Sequence, residues 1–189
     1  MPKHFQSTPD RKRLACLERE ALRELDEARA PLFEEIQKFL RGPGRSREEA
    51  PHLCCRRALN QMRISPLEAR AIARAFQANP GLKAKLPAVL RRLRAELAGL
   101  QDTTERQNFD CPLLEGTRCL VHYAAKPIGC AAWNPGREFS PAGWKAFAER
   151  DKLNDRVYGP DWKLRVIPLW LKRAFKLRRL TEYFGPQIR

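Results

Sequence analysis

Five of the six cysteines form an ordered set: an adjacent pair, Cys54 and Cys55, then Cys111, Cys119 and Cys130. Neighbouring cysteines across a trans peptide do not readily reach the Cα separation and dihedral of a disulfide, so the pair is poorly suited to bridging itself. Thiolates from consecutive residues can instead grip one soft metal ion or two irons of a cluster, with further ligands arriving from a distant loop. The later cysteines lie among turn-forming residues. Pro112 stiffens the backbone just after Cys111, and Gly116 permits a return that carries Cys119 back towards Cys111. Lys126-Pro127 with Gly129 then turns the chain again before Cys130. Such a course can bring three sulfurs to one point, with Cys54 and Cys55 completing or exceeding a tetrahedral set at about 2.3 Å for zinc. All-thiolate coordination suits zinc and iron–sulfur centres alike.

His52 and His122 lie near these cysteines and are candidate imidazole ligands or hydrogen-bonding groups behind the ligands, although a solvated or packed histidine is the commoner state. Tyr123 and Trp133 are expected to shield the site. Cys16, within an amphipathic helix, is expected to pack in the core as a small hydrophobe. No glycine-rich phosphate loop, nucleotide fingerprint, G-x-S-x-G elbow or HExxH motif is present. Cys119 with His122 lacks a third, orienting group for nucleophilic catalysis. Asp110, Glu68 and Glu115 could serve as bases, but Glu68 is better explained as a helix cap and the other two as turn acids.

The order of these elements resembles the YkgJ-like cysteine-cluster family of zinc- or iron-chelating domains. Its pattern runs CxxCxxCC, a helical spacer opened by Ser/Thr-x-x-Glu, then C-P-x-L, a C-x-[IV]-Y/H-Y-like stretch and R-P-x-x-C. Cys54-Cys55, Ser65 to Glu68, Cys111-Pro-Leu-Leu, Cys119-Leu-Val-His-Tyr and Lys126-Pro-Ile-Gly-Cys130 match in order, so the resemblance spans residues 52 to 133. Glu48 and Pro51 stand where the family's two upstream cysteines would fall, and Lys126 replaces its arginine. The resemblance implies one metal centre, Zn2+ or an iron–sulfur cluster, held by Cys54, Cys55, Cys111, Cys119 and Cys130. It extends to proteins described as flagellin lysine N-methylases, which implies S-adenosylmethionine-dependent methyl transfer to lysine as an alternative. No glycine-rich methyl-donor loop accompanies it here.

The elements that must position these residues are helical. Thr8-Pro9-Asp10 opens a helix whose apolar residues recur from Leu14 to Leu40, and Pro31 is expected to kink or split it. Ser65-Pro66-Leu67-Glu68 is a capping box with proline at the first helical position, starting a helix that ends at Asn79-Pro80-Gly81. Leu82 to Leu97 marks another, Ser140-Pro141 opens a fourth that ends near Gly159-Pro160, and Pro168 opens the last. Residues 108 to 133 show no useful helical period, and Glu115-Gly116-Thr117 indicates a hairpin-like loop. The expected fold is a single all-α domain over residues 1 to 189: an N-terminal helical segment over 8–41, a cysteine-bearing core over 52–133 and basic helices over 140–189.

A mix of 43% hydrophobic and 31% charged residues is that of a globular chain. The start lacks an apolar leader and no stretch is long and apolar enough to span a membrane, so a cytoplasmic location is expected, where clustered cysteines more often bind metal than form disulfides. The formal charge is +15, with 11 Lys/Arg against 10 Asp/Glu in residues 1 to 50 and 26 against 12 in the remainder. Around Trp162, Trp170, Phe175, Tyr183 and Phe184, residues 163 to 189 carry eight Lys/Arg and one acid. This basic stretch could meet an acidic partner or nucleic acid by phosphate contact and stacking; buried aromatics under a solvated cationic face are the commoner arrangement.

Overall fold

The structure, a computed structural model, describes residues 11–40, 55–132 and 139–176. Six helices and two pairs of very short strands are present among them: α1 (Arg11–Leu40), β1 (Arg63–Ile64), α2 (Pro66–Ala78), α3 (Pro80–Leu97), β2 (Leu114–Glu115), β3 (Arg118–Cys119), α4 (Ile128–Ala132), α5 (Pro141–Tyr158), β4 (Arg165–Val166) and α6 (Ile167–Ala174). The fold is mostly helical, as expected. The strand pairs and the one-turn helix α4 are additions that apolar periodicity does not reveal in two- and five-residue elements.

Caps set the helix starts. Ser65 Oγ accepts from Glu68 N at 3.2 Å while Glu68 Oε2 accepts from Ser65 N at 2.8 Å, the reciprocal capping box read from the sequence. Asn79 Oδ1 caps α3 through Leu82 N, and Ser140 Oγ caps α5 through Gly143 N. Each such cap is worth about 1 kcal/mol. Gly159 ends α5 at φ 74°, a conformation that costs glycine little.

α1 runs through Pro31 as one helix, so of the expected kink or split the split does not occur. Proline forfeits the bond to the carbonyl of Glu27. Both residues are exposed, so water can reach the freed carbonyl. Pro87 in α3 is accommodated the same way, with exposed Lys83 four residues before it.

The core lies where α1 crosses α5 and where α2 meets α3 and α6, around Leu25, Leu32, Ile72, Phe76, Leu93 and Leu153. Phe175 closes it edge-on against Phe76, ring centroids 5.7 Å apart. β1 pairs antiparallel with β4, Arg63 opposite Val166, tying the segment after the cysteine pair to the start of α6. Cys16 is exposed rather than packed in the core. The fully buried stripe of α1 begins at Ala21, and before it Leu14 and Leu17 pack partly buried against the core, whereas Cys16 falls between them on the opposite side of the helix. No helix among the described residues is long and apolar enough to cross a membrane.

Candidate metal centre

Cys55 opens a tight turn whose backbone returns alongside residues 109 to 111. Cys111 N donates to Cys55 O at 2.8 Å and Phe109 N to Asn60 O at 3.2 Å. Both cysteines are buried. Side chains lock this antiparallel contact: Arg57 N donates to Asp110 Oδ1 at 2.9 Å, and Asn108 Nδ2 to Arg57 O at 2.9 Å.

α3 acts as a rail for the same segment. Its buried Glu96 takes Asp110 N at 3.0 Å and Arg57 Nη2 at 2.6 Å on one oxygen. Arg92 Nε donates to Pro112 O at 2.9 Å, and Lys85 pairs with Glu115 at 2.6 Å. Two side chains of one helix therefore fix the backbone on either side of Cys111, and a third, Lys85, holds the hairpin by the Glu115 side chain. Sequence reasoning missed this role; the available signal was a carboxylate, Glu96, between Leu93 and Leu97 of the apolar stripe.

Leu114 N bonds to Cys111 O at 3.0 Å, and the hairpin expected at Glu115-Gly116-Thr117 forms, with Leu114 opposite Cys119 and Glu115 opposite Arg118. Its two-residue connection needs positive φ at the first position, which Gly116 supplies at 58°. Beyond it the chain winds through a turn at Val121 and reaches Pro127 and α4, where Ile128 N donates to Glu68 Oε1 at 2.8 Å. Glu68 is thus both cap of α2 and anchor of the helix that carries Cys130. Gly129 lets α4 close against β1's neighbour Met62, since a Cβ there would fall 2.7 Å from Met62 Sδ.

The fold therefore ties Cys55 to Cys111 through the backbone and Cys111 to Cys119 through a hairpin, and anchors the Cys130 helix to α2. Cys119 and Cys130 are half-buried. Among the described residues, no three of His, Cys, Asp and Glu form a group placed to hold a metal ion. Cys54, the fifth member of the set, lies outside the described residues, as do His52 and Trp133. The donor chemistry of the set, thiolates without a carboxylate among them, fits a soft or borderline cation. Tyr123 is 73% exposed and shields little.

Lys126 Nζ lies 3.3 Å from His122 Nδ1, and an ammonium can only donate, so the neutral ring keeps its hydrogen on Nε2. Burial, and secondarily the Lys126 charge, push the His122 pKa down from 6.5 to about 4. Because the unfolded chain takes up this proton first, the folded state is fully favoured above pH 6.5 and loses stability as pH falls towards about 4. An imidazole NMR titration is expected to find His122 neutral at pH 6 and Lys126→Met to move its midpoint upward. A midpoint near 6.5 in the parent chain would contradict this placement.

The basic C-terminal aromatics are used internally where they can be followed. Arg165 pairs with Asp102, and Arg173 both approaches Asp102 at 3.5 Å and lies over the Trp170 ring at 5.1 Å. Trp170 Nε1 donates to Lys163 O and Trp162 Nε1 to Asp155 Oδ1. Arg178, Arg179, Tyr183, Phe184 and Arg189 lie outside the described residues. Comparison with family models, with curated proteins and with solved structures returns no match to this chain.

Proposed function

We propose that this chain holds one zinc ion or iron–sulfur centre through thiolates drawn from Cys54, Cys55, Cys111, Cys119 and Cys130. The observation that carries the reading is the direct bond from Cys111 N to Cys55 O, which joins segments 56 residues apart at the two cysteines themselves. The hairpin and the Glu68 anchor support it by leading the chain from Cys111 through Cys119 to Cys130 with little slack. The ordered resemblance to the YkgJ-like cysteine-cluster family, carried by the same cysteines, points to the same reading. Bound metal would tie the 109–133 segment to the helices, and its binding energy would add to folding energy because the ligands come from distant parts of the chain. Visible absorption of anaerobically purified protein separates the two metals: sulfide-to-iron charge-transfer bands identify a cluster, and a colourless protein containing zinc identifies the ion. A protein with neither metal overturns the reading.

A further inference from the structure

Two cysteines 56 residues apart in the chain face each other across a single backbone hydrogen bond, from Cys111 N to Cys55 O at 2.8 Å. A bond of that kind between facing segments holds the two Cα atoms about 5.5 Å apart. This falls within the roughly 4.4–6.8 Å that a disulfide spans. Both residues are buried, Cys55 at 8% and Cys111 at 6% exposure, and both belong to one core, so their side chains leave the shared contact on its inner side. Both are reduced thiols in this structure.

The contact is held from both flanks. Arg57 N donates to Asp110 Oδ1 and Asn108 Nδ2 to Arg57 O, while Glu96 of α3 takes Asp110 N and Arg57 Nη2 on one oxygen. Bridging the two sulfurs therefore calls for side-chain rotation rather than backbone movement, which is the condition a disulfide must meet. Cys119 stands opposite Leu114 on the hairpin, and Cys130 rides on α4.

We infer that Cys55 and Cys111 form a redox-active dithiol, closed to a disulfide by a small peroxide. Hydrogen peroxide reaches buried thiols through brief local openings too small for a bulky oxidant. One cysteine, as thiolate, attacks a peroxide oxygen and the O–O bond breaks, leaving a sulfenic acid and, after proton uptake, water. The second thiol attacks the sulfenic sulfur and expels another water. Two thiols and one peroxide thus give one disulfide and two waters, sulfur being oxidised and peroxide oxygen reduced. The bridge closes a loop that holds β1, α2 and α3, so it stabilises the fold by restricting the unfolded chain. It needs no metal and stands apart from the metal-centre reading, although bridging withdraws both sulfurs from that proposed set.

The test gives the full chain, reduced and treated with a chelator, one equivalent of hydrogen peroxide, alkylates the remaining thiols and maps the cysteines by mass spectrometry. The expected product is a Cys55–Cys111 cross-linked peptide, lost in Cys111→Ser and kept in Cys54→Ser, which clears the neighbouring thiol. The melting temperature should rise by about 5 to 15 °C on bridging and return with dithiothreitol. Bridging that zinc slows supports the dithiol and the metal centre together; bridging that zinc leaves unchanged supports the dithiol and counts against these two cysteines as ligands. Recovery of both thiols in alkylated form, or of either in a bridge to Cys54, Cys119 or Cys130, overturns the inference. A Cys55–Cys111 bridge that lowers the melting temperature also overturns it, because the bond would then form only by distorting the fold.

Discussion

Replacing Cys111 and Cys119 together by serine is expected to abolish metal binding and to lower the melting temperature by about 10 °C or more. The two cysteines occupy a turn and a strand joined by a hairpin, so removing both withdraws two ligands from one end of the set. A structural thiolate site adds its binding energy to folding, and each 1 kcal/mol corresponds to about 2–4 °C in a domain of this size. Cys16→Ser is the control, because Cys16 is exposed on α1 and stands apart from the set. It should leave both metal content and melting unchanged. A double variant that keeps its metal and its melting temperature would show that these thiols are ordinary packed side chains.

Glu68→Ala should be the most damaging single substitution away from the cysteines. Glu68 is fully buried and accepts from Ser65 N and Ile128 N, with Arg150 close by. Truncation removes the reciprocal cap of α2, releases the start of α4 and leaves Arg29 and Arg150 without their shared buried counter-charge. Breaking a buried pair in this way costs about 3–5 kcal/mol. Glu68→Gln keeps one acceptor oxygen but loses the charge, so it should retain part of the loss and separate the two contributions. Urea denaturation measures both. A loss under about 1 kcal/mol for Glu68→Ala would mean that the α2–α4 contact is dispensable.

The helix starts were legible because their chemistry is local. Ser65-Pro66-x-Glu68 and Ser140-Pro141 each place a capping oxygen and a proline where an N-terminus requires them, and each opens the expected helix, while Asn79-Pro80, expected to end a helix, also caps the start of the next. Gly116 likewise marked the hairpin. The expected extent of α1 holds over Arg11–Leu40, but the split expected at Pro31 does not occur, because Pro31 and Glu27, whose carbonyl it frees, are both exposed. Cys16 was misplaced because, two residues after Leu14, it stands on the opposite side of the helix from the stripe of Leu14, Leu17 and Ala21 that packs on the core. The second role of Glu68 was hidden because its partner at Ile128 is 60 residues away. Arg29 left a trace, a charged residue at a position where the stripe calls for an apolar one, yet its burial depends on α4 and α5 closing over α1. The expected grouping of the cysteines rests on order and turn chemistry; what the structure joins is Cys55 to Cys111, a contact flanked by Glu96 and Arg92 of α3, which no local motif announces.

Elemental analysis of the full chain purified without oxygen tests the central claim most directly. The account predicts one zinc per chain, or iron with matching acid-labile sulfide, lost together with thermal stability when a chelator is added and absent from the Cys111→Ser, Cys119→Ser double variant. A parent chain that is folded, contains neither metal and melts at the same temperature with or without chelator would contradict it.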